Sequence, residues 1–384
     1  MGTDKLRSLE DFSLADLESI RLVLRGDSVI DWRRLNFRNE EEINGFLLSH
    51  ELDPEVAEDC ERMDFVKAEA IAYLRRHFAF PIPKPVEEAS VAELLMVASG
   101  KGHRQVCACT ILKCMHIIHH LQGRELLFTL PLSDQQVFQL VEEKVYRVVG
   151  QMLAGGFPIA EFVGGRKAKD SLYTKLLSKQ ETVAAQIYDK LRFRIVTRHF
   201  KDILPIIHYL SRHLFPFNYA IPGESINSML DFGQFCRNHP HLKPMLQEMQ
   251  IGRDADITPS DNKFSADNYR VIHFVVDLPV RLPNRILSRG PRGTDSLGNI
   301  VFVICEFQVI DQETEAQNEV GDASHASYKE RQKRAVMRRL QLGIESVPPP
   351  PPKPDRQAVR MPTLPPPPRM PAMKAPSTKG SKKR

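Results

Sequence analysis

The residue pattern predicts an α+β protein, in which an all-helical N-terminal domain precedes a small mixed β-sheet flanked by helices. Three observations carry this reading. Apolar residues recur at helical spacing through most of residues 8–150. Three β-rich runs, at 191–197, 269–280 and 300–310, then interleave with helical patterns, as expected of helices packed on one sheet. Residues 347–384 hold 13 Pro, a composition that cannot bury a core and favours polyproline-II stretches. The expected domains are a helical one at 1–155, a sheet domain at 156–345 with an insertion near 216–268, and a disordered Pro-rich basic tail at 346–384.

The elements follow in order. Ser13 opens a helix start signal, and Leu17, Ile20, Leu22 and Leu24 supply its apolar positions. Similar spacing runs through 40–48 and 63–78. Pro81, Pro83 and Pro85 break the pattern, because proline lacks the amide proton and restrains the residue before it. Helical spacing resumes at 91–98, 106–121 and 135–153. Beyond 160 the expected order is helix 171–185, strand 191–197, helix 200–214, strands 269–280 and 300–310, and helix 324–342. Residues 216–268 read as irregular, with a short helix at 245–249.

Composition narrows the function. No run of 18 apolar residues exists, so no membrane span is expected, and the charged first 30 residues do not read as a signal peptide. The cytoplasm is the expected compartment. Six cysteines at irregular spacing argue against a disulfide framework. Cys107, Cys109, Cys114 and His116 lack the second pair of a zinc site and read as small thiols in a helix. His116, His119 and His120 read as core and surface histidines. Of the net charge of +5, a local +8 sits in 347–384, so the body is mildly acidic. The tail suits weak nucleic-acid contact or Pro-rich protein docking.

Five short motifs in the second half concentrate the chemistry. They are Ser171-x3-Lys175, Asp189-x4-Arg194, Tyr269-x3-His273, Glu306-x-Gln308, and Glu319-x-Gly321-x-Ala323-x-His325-x2-Tyr328-Lys329. Ser171, Lys175 and Lys179 share one helix face. Gly164-Gly165-Arg166, with Lys167 and Lys169, reads as a Gly-rich turn feeding that helix, either a phosphate cradle or a solvated basic face. Asp189 reads as a magnesium ligand or a turn residue. Arg192 and Arg194 share one strand face. The 300–310 strand is apolar on both faces, so it should be central, and Glu306 needs a counter-charge there, either a bound cation or an ion pair. Tyr269 and His273 would share a strand face, suited to base stacking and phosphate contact, or to ordinary packing.

In this order the motifs resemble the synthetase domain of the RelA/SpoT family, over roughly residues 160–342. The last motif is the most specific, matching E-x-G-x-A-x-H-x-x-Y-K position by position. The resemblance implies a nucleotidyltransferase-like fold. It implies magnesium-dependent transfer of pyrophosphate from ATP to a nucleotide acceptor such as GDP or GTP, the alarmone synthesis of the stringent response. By resemblance Arg166, Lys167, Ser171, Lys175 and Arg194 would bind nucleotide phosphates. Tyr269 would stack on the acceptor base, with His273 near its phosphates. Asp189 and Glu306 would hold Mg2+, and Glu306, beside Gln308, would accept the hydroxyl proton. The chain also departs from the family. Gly165 stands where an Arg is expected, and Gln308-Val-Ile310-Asp311 replaces Gln-Ile-Arg-Thr. Asp267-Asn268-Tyr269 replaces a longer acceptor motif, with Lys263 the nearest lysine. The altered acceptor region motivates an alternative: a catalytically inactive nucleotide-binding or regulatory interaction protein on the same fold. The hydrolase signature of the family has no counterpart in 1–150.

Overall fold

Five strands build one mixed sheet in the order β1 (Ile159–Arg166), β2 (Leu191–Thr197), β5 (Ile300–Asp311), β4 (Ile272–Arg281) and β3 (Ile226–Asn227). β2 and β5 run parallel, and every other pairing is antiparallel. The computed structural model describes residues 6–26, 30, 32, 34–178, 190–249 and 268–340. Asp189, Lys179, residues 250–267 of the insertion and the tail expected at 346–384 lie outside the described residues.

Helices surround this sheet. Before it come α1 (Leu14–Arg25), α2 (Glu40–Ser49), α3 (Ala57–Phe78), α4 (Lys84–Glu87), α5 (Val91–Ala98), α6 (His103–Thr129) and α7 (Asp134–Ala154). Within it lie α8 (Lys169–Ser178), α9 (Ile203–His213), α10 (Phe232–Asn238), α11 (Leu242–Glu248), α12 (Asn284–Leu287), α13 (Gln312–Asn318) and α14 (His325–Arg339). Reciprocal capping boxes start three of them: Ser13 with Asp16, Ser90 with Glu93, and Ser133 with Gln136. Each satisfies amides that the first helical turn leaves unpaired. The proline joint holds as expected, since the chain is non-helical from 79 to 83 and α4 carries its proline in the first turn.

β5 is central because its apolar residues are covered on both faces. On one face Phe193, Phe307 and Phe274 form a rung across three strands. Phe215 packs on that rung at 5.5 Å from both Phe274 and Phe307. On the other face α6 lies against Phe302, whose ring meets His119 and His120 edge-on at 5.4 and 4.9 Å. Gly123 allows that approach, since a Cβ there would sit 2.5 Å from the Phe302 ring.

Polar ties join the helices to the sheet. The buried Lys144 of α7 donates to the Pro279 carbonyl at 2.7 Å and pairs with Glu51 at 2.6 Å. Burial pushes its ammonium pKa down while Glu51 pulls it back. Arg281 of β4 pairs with the buried Asp59 of α3 at 2.6 Å. One hydrophobic core runs from Phe12 through the N-terminal helices to Val309.

Two strands depart from the reading above. Gly164-Gly165-Arg166 is not a turn but the end of β1, paired with Phe193, Arg192 and Leu191. Its glycines hide the strand pattern for a packing reason, because a Cβ at 164 would come 2.7 Å from the Phe193 ring. β3 is only two residues long and carries no readable periodicity. Tyr269 is not in a strand either; it precedes β4, which begins at Ile272. Among the described residues no helix is long and apolar enough to cross a membrane.

Candidate functional site

The site grows from register. Gln308 at the centre lies opposite Arg194 on β2 and His273 on β4. One step along, Glu306 lies opposite Arg192 and Val275. Directly paired residues face the same side of a sheet. So Arg192, Arg194, Glu306, Gln308 and His273 gather on one face, beyond the part of that face that α6 covers.

Glu306 is 5% exposed. Gln308 donates to its Oε1 at 2.7 Å, and His273 Nε2 stands 3.4 Å from the same oxygen. Among the described residues no lysine or arginine lies within ion-pair distance of it. His273 Nδ1 is buried without a hydrogen-bond partner. The predicted need of this carboxylate for a partner is therefore met only by an amide and an imidazole.

Tyr269 belongs to the same neighbourhood through its fields. Burial raises its hydroxyl pKa, Arg194 and Arg192 lower it, and Glu306 and Glu319 raise it. A clamp holds this segment: Asn318 accepts from the Arg270 amide at 3.1 Å and donates to the Arg270 carbonyl at 2.6 Å. The clamp brings the end of α13, and with it Glu319, beside Tyr269. Asn318 escaped sequence reasoning, since an Asn at a helix end carries no distinctive signal.

The first and last motifs also meet. α8 and α14 pack together, and Lys329 donates to the Ser171 hydroxyl at 3.3 Å. Lys175 is half-buried on the same helix. The Lys167 amide donates to the Lys190 carbonyl at 2.9 Å, which sets the lead-in to α8 beside the residue after Asp189. Ser324 caps α14, accepting from Ser327.

Two of the expected phosphate-binding arginines are already engaged. Arg166 pairs with Glu142 at 2.9 Å and stacks over Phe138 at 5.7 Å. Arg194 pairs with Glu315 at 3.2 Å. The departures at 310 and 311 have structural causes: Ile310 is fully buried, and Asp311 caps α13 by accepting from Glu313 and Thr314. A magnesium ion fits Glu306, since a desolvated carboxylate without a cationic side chain is a hard-oxygen ligand. Among the described residues no cluster of three His, Cys, Asp or Glu forms a complete metal cage. The six cysteines are free thiols, and the Cys107, Cys109 and Cys114 cluster stays a helix-packing feature.

No family model matches the chain, and no curated protein matches it. Solved structures similar to it include small alarmone synthetases. Small alarmone synthetase 1 from Bacillus subtilis is 15% identical, with 53% of this chain and 86% of that one covered at a TM-score of 0.29. Small alarmone synthetase 2 from the same organism is 17% identical, with 54% and 94% covered at a TM-score of 0.28. Synthetase 1 bound to its product pppGpp is 14% identical, with 54% and 87% covered at a TM-score of 0.30.

Proposed function

We propose that residues 156–345 form a magnesium-dependent site that transfers pyrophosphate from ATP to a nucleotide acceptor, GDP or GTP being the first candidates. The observation that carries the reading is Glu306: a buried carboxylate on the central strand, with no lysine or arginine partner among the described residues, facing the same way as Arg192, Arg194 and His273. Glu306 and Asp189 would hold the metal, which supplies charge neutralisation for the transferred group. Glu306 would take the proton of the attacking hydroxyl, with Gln308 orienting its carboxylate. His273, with one ring nitrogen unpartnered, has a free donor or acceptor for the acceptor's phosphate. Tyr269 would stack on the base. Lys167, Ser171, Lys175 and Lys329 supply cations and a hydroxyl for the ATP phosphates, joined by Arg166 and Arg194 if those leave their carboxylates.

Labelled ATP, magnesium and each nucleoside di- and triphosphate, incubated with the full chain, test the reading. Transfer that falls at least about 100-fold in Glu306→Gln is expected for loss of a general base. Absence of transfer to every acceptor, with wild type and variant alike, removes it.

A second reading is a nucleotide binder without turnover. It is favoured by Arg166 and Arg194 being committed to Glu142 and Glu315. Saturable ATP binding with no product formation supports it, and turnover lost in Asp189→Asn excludes it.

A further inference from the structure

A chamber of about 80 Å3 lies among α2, α3, α5, α6 and the segment before β3. Twelve of its eighteen lining residues are apolar. Eight buried side-chain polar atoms of the described residues lack a hydrogen-bond partner, and four of those belong to residues that line this chamber: Arg62 Nε, His119 Nε2, Asn218 Oδ1 and the Tyr219 hydroxyl. His119, Asn218 and Tyr219 are 9%, 8% and 3% exposed. Buried polar groups are ordinarily satisfied, so such a concentration calls for a missing partner.

Water alone is a poor answer. Each water needs roughly 10–15 Å3 and two to four polar neighbours. The chamber has room for about six, while four polar atoms among apolar walls can hold about one or two. A ring of about six heavy atoms with one polar edge matches both the space and the orphan atoms. The walls also fix the charge. Burial holds His116 at about 3 and His119 well below its ordinary value, and it raises the Tyr219 hydroxyl, with Asp277 raising it further. Burial holds His50 at about 4 as well, so the imidazoles and phenol are neutral, and Arg62, the charged residue of the lining, spends its Nη groups on the Ser296 and Leu297 carbonyls and Gln122.

We propose that this chamber is a second binding site, separate from the nucleotide site, for a neutral single-ring molecule bearing one hydroxyl or amide edge. Tyr219 packs against Phe302 at 4.8 Å, so an occupant would rest behind the strand that carries Glu306.

The test is calorimetric titration of the full chain with phenol and, separately, toluene. Phenol should bind saturably with a Kd near 1 mM, a reasonable affinity for about seven heavy atoms. Tyr219→Phe removes one hydrogen bond and should weaken phenol about fivefold while leaving toluene unchanged. Val66→Phe, which fills the chamber, should weaken both at least about tenfold. Glu306→Gln should change neither, which separates this site from the nucleotide reading. Absence of saturable phenol binding overturns the proposal, as does a Tyr219→Phe effect that is equal for phenol and toluene. Because Tyr219→Phe keeps the chamber's shape, the test survives even if Val66→Phe fails to fold.

Discussion

Gly123 should be intolerant of alanine although it sits inside a helix. In an exposed helix that change stabilises by about 1 kcal/mol, because glycine has more backbone freedom to lose. Here the added Cβ would meet Phe302 Cε2 at 2.5 Å, Phe302 Cδ2 at 2.6 Å and the Ile300 carbonyl oxygen at 2.7 Å. Real Cβ contacts do not approach so closely, and a strand carbonyl cannot step aside as a flexible side chain can. Overpacking a core costs roughly 1–3 kcal/mol, and three contacts of this kind argue for the upper end. The net expectation is a loss of about 2 kcal/mol. Gly150 in α7 is the control, being exposed with nothing within 4 Å of its virtual Cβ. Gly150→Ala should stabilise by up to about 1 kcal/mol. Urea unfolding separates the two: with a slope near 3 kcal/mol per molar, Gly123→Ala should lower the midpoint by about 0.7 M and Gly150→Ala raise it by about 0.3 M. If Gly123→Ala matched or exceeded wild type, α6 would not lie against Phe302, and the chamber wall would lose its support as well.

Two further outcomes follow from buried charge. Burial holds His50 at about 4 and His116 at about 3. The unfolded chain takes up protons below its ordinary imidazole pKa of about 6.5 while the fold does not, so stability is full above 6.5 and falls as pH drops through that window toward the folded values. From pH 7 to pH 5 His50 alone removes about 2 kcal/mol, and equal urea midpoints at the two pH values would contradict its neutral burial. Glu315→Gln releases Arg194 from its partner and should tighten binding of a fluorescent ATP analogue about two- to fivefold, the value of a partly exposed pair; unchanged or weaker binding would make Arg194 a structural residue.

The legible parts of this molecule were those set by periodicity. β2 and α5 begin and end where the spacing predicts, and β5 runs one residue longer. Glu306 stood out because an acid on a strand apolar on both faces has to be explained. β1 was hidden because Gly164 is chosen for contact with Phe193, 29 positions away in sequence number, and glycine erases the alternation that marks a strand. Tyr269 was assigned to a strand because its neighbours are β-formers, but pairing, not propensity, decides where β4 starts. The ties that complete the site, Asn318 on Arg270 and Lys329 on Ser171, join residues 48 and 158 positions apart. Sequence pattern is local and cannot show such pairs. His120 is a similar case: nothing acidic adjoins it in sequence, yet Asp277 on β4 accepts from it at 2.7 Å.

The charge arrangement around β5 bears on which reading of the site is stronger. Desolvating a carboxylate costs several kcal/mol even after local relaxation. The Gln308 amide and His273 return about 1–3 kcal/mol through hydrogen bonds. A purely structural acid would be expected to draw on the nearest guanidinium, since a bidentate arginine is the cheapest way to neutralise it. Arg192 lies directly opposite it and Arg194 one rung away on the same face, yet among the described residues neither pairs with it: Arg194 turns to Glu315 at 3.2 Å, and Glu306 is left to the Gln308 amide and the His273 ring. Glu306 therefore retains an unmet preference for positive charge at a position bordered by a tyrosine and a half-partnered histidine. A divalent cation arriving with a triphosphate would meet that preference, and the phosphates could in turn draw Arg194 away from Glu315. The two engaged arginines then describe a resting arrangement rather than an argument against nucleotide binding, because each pair is partly exposed and such pairs hold weakly.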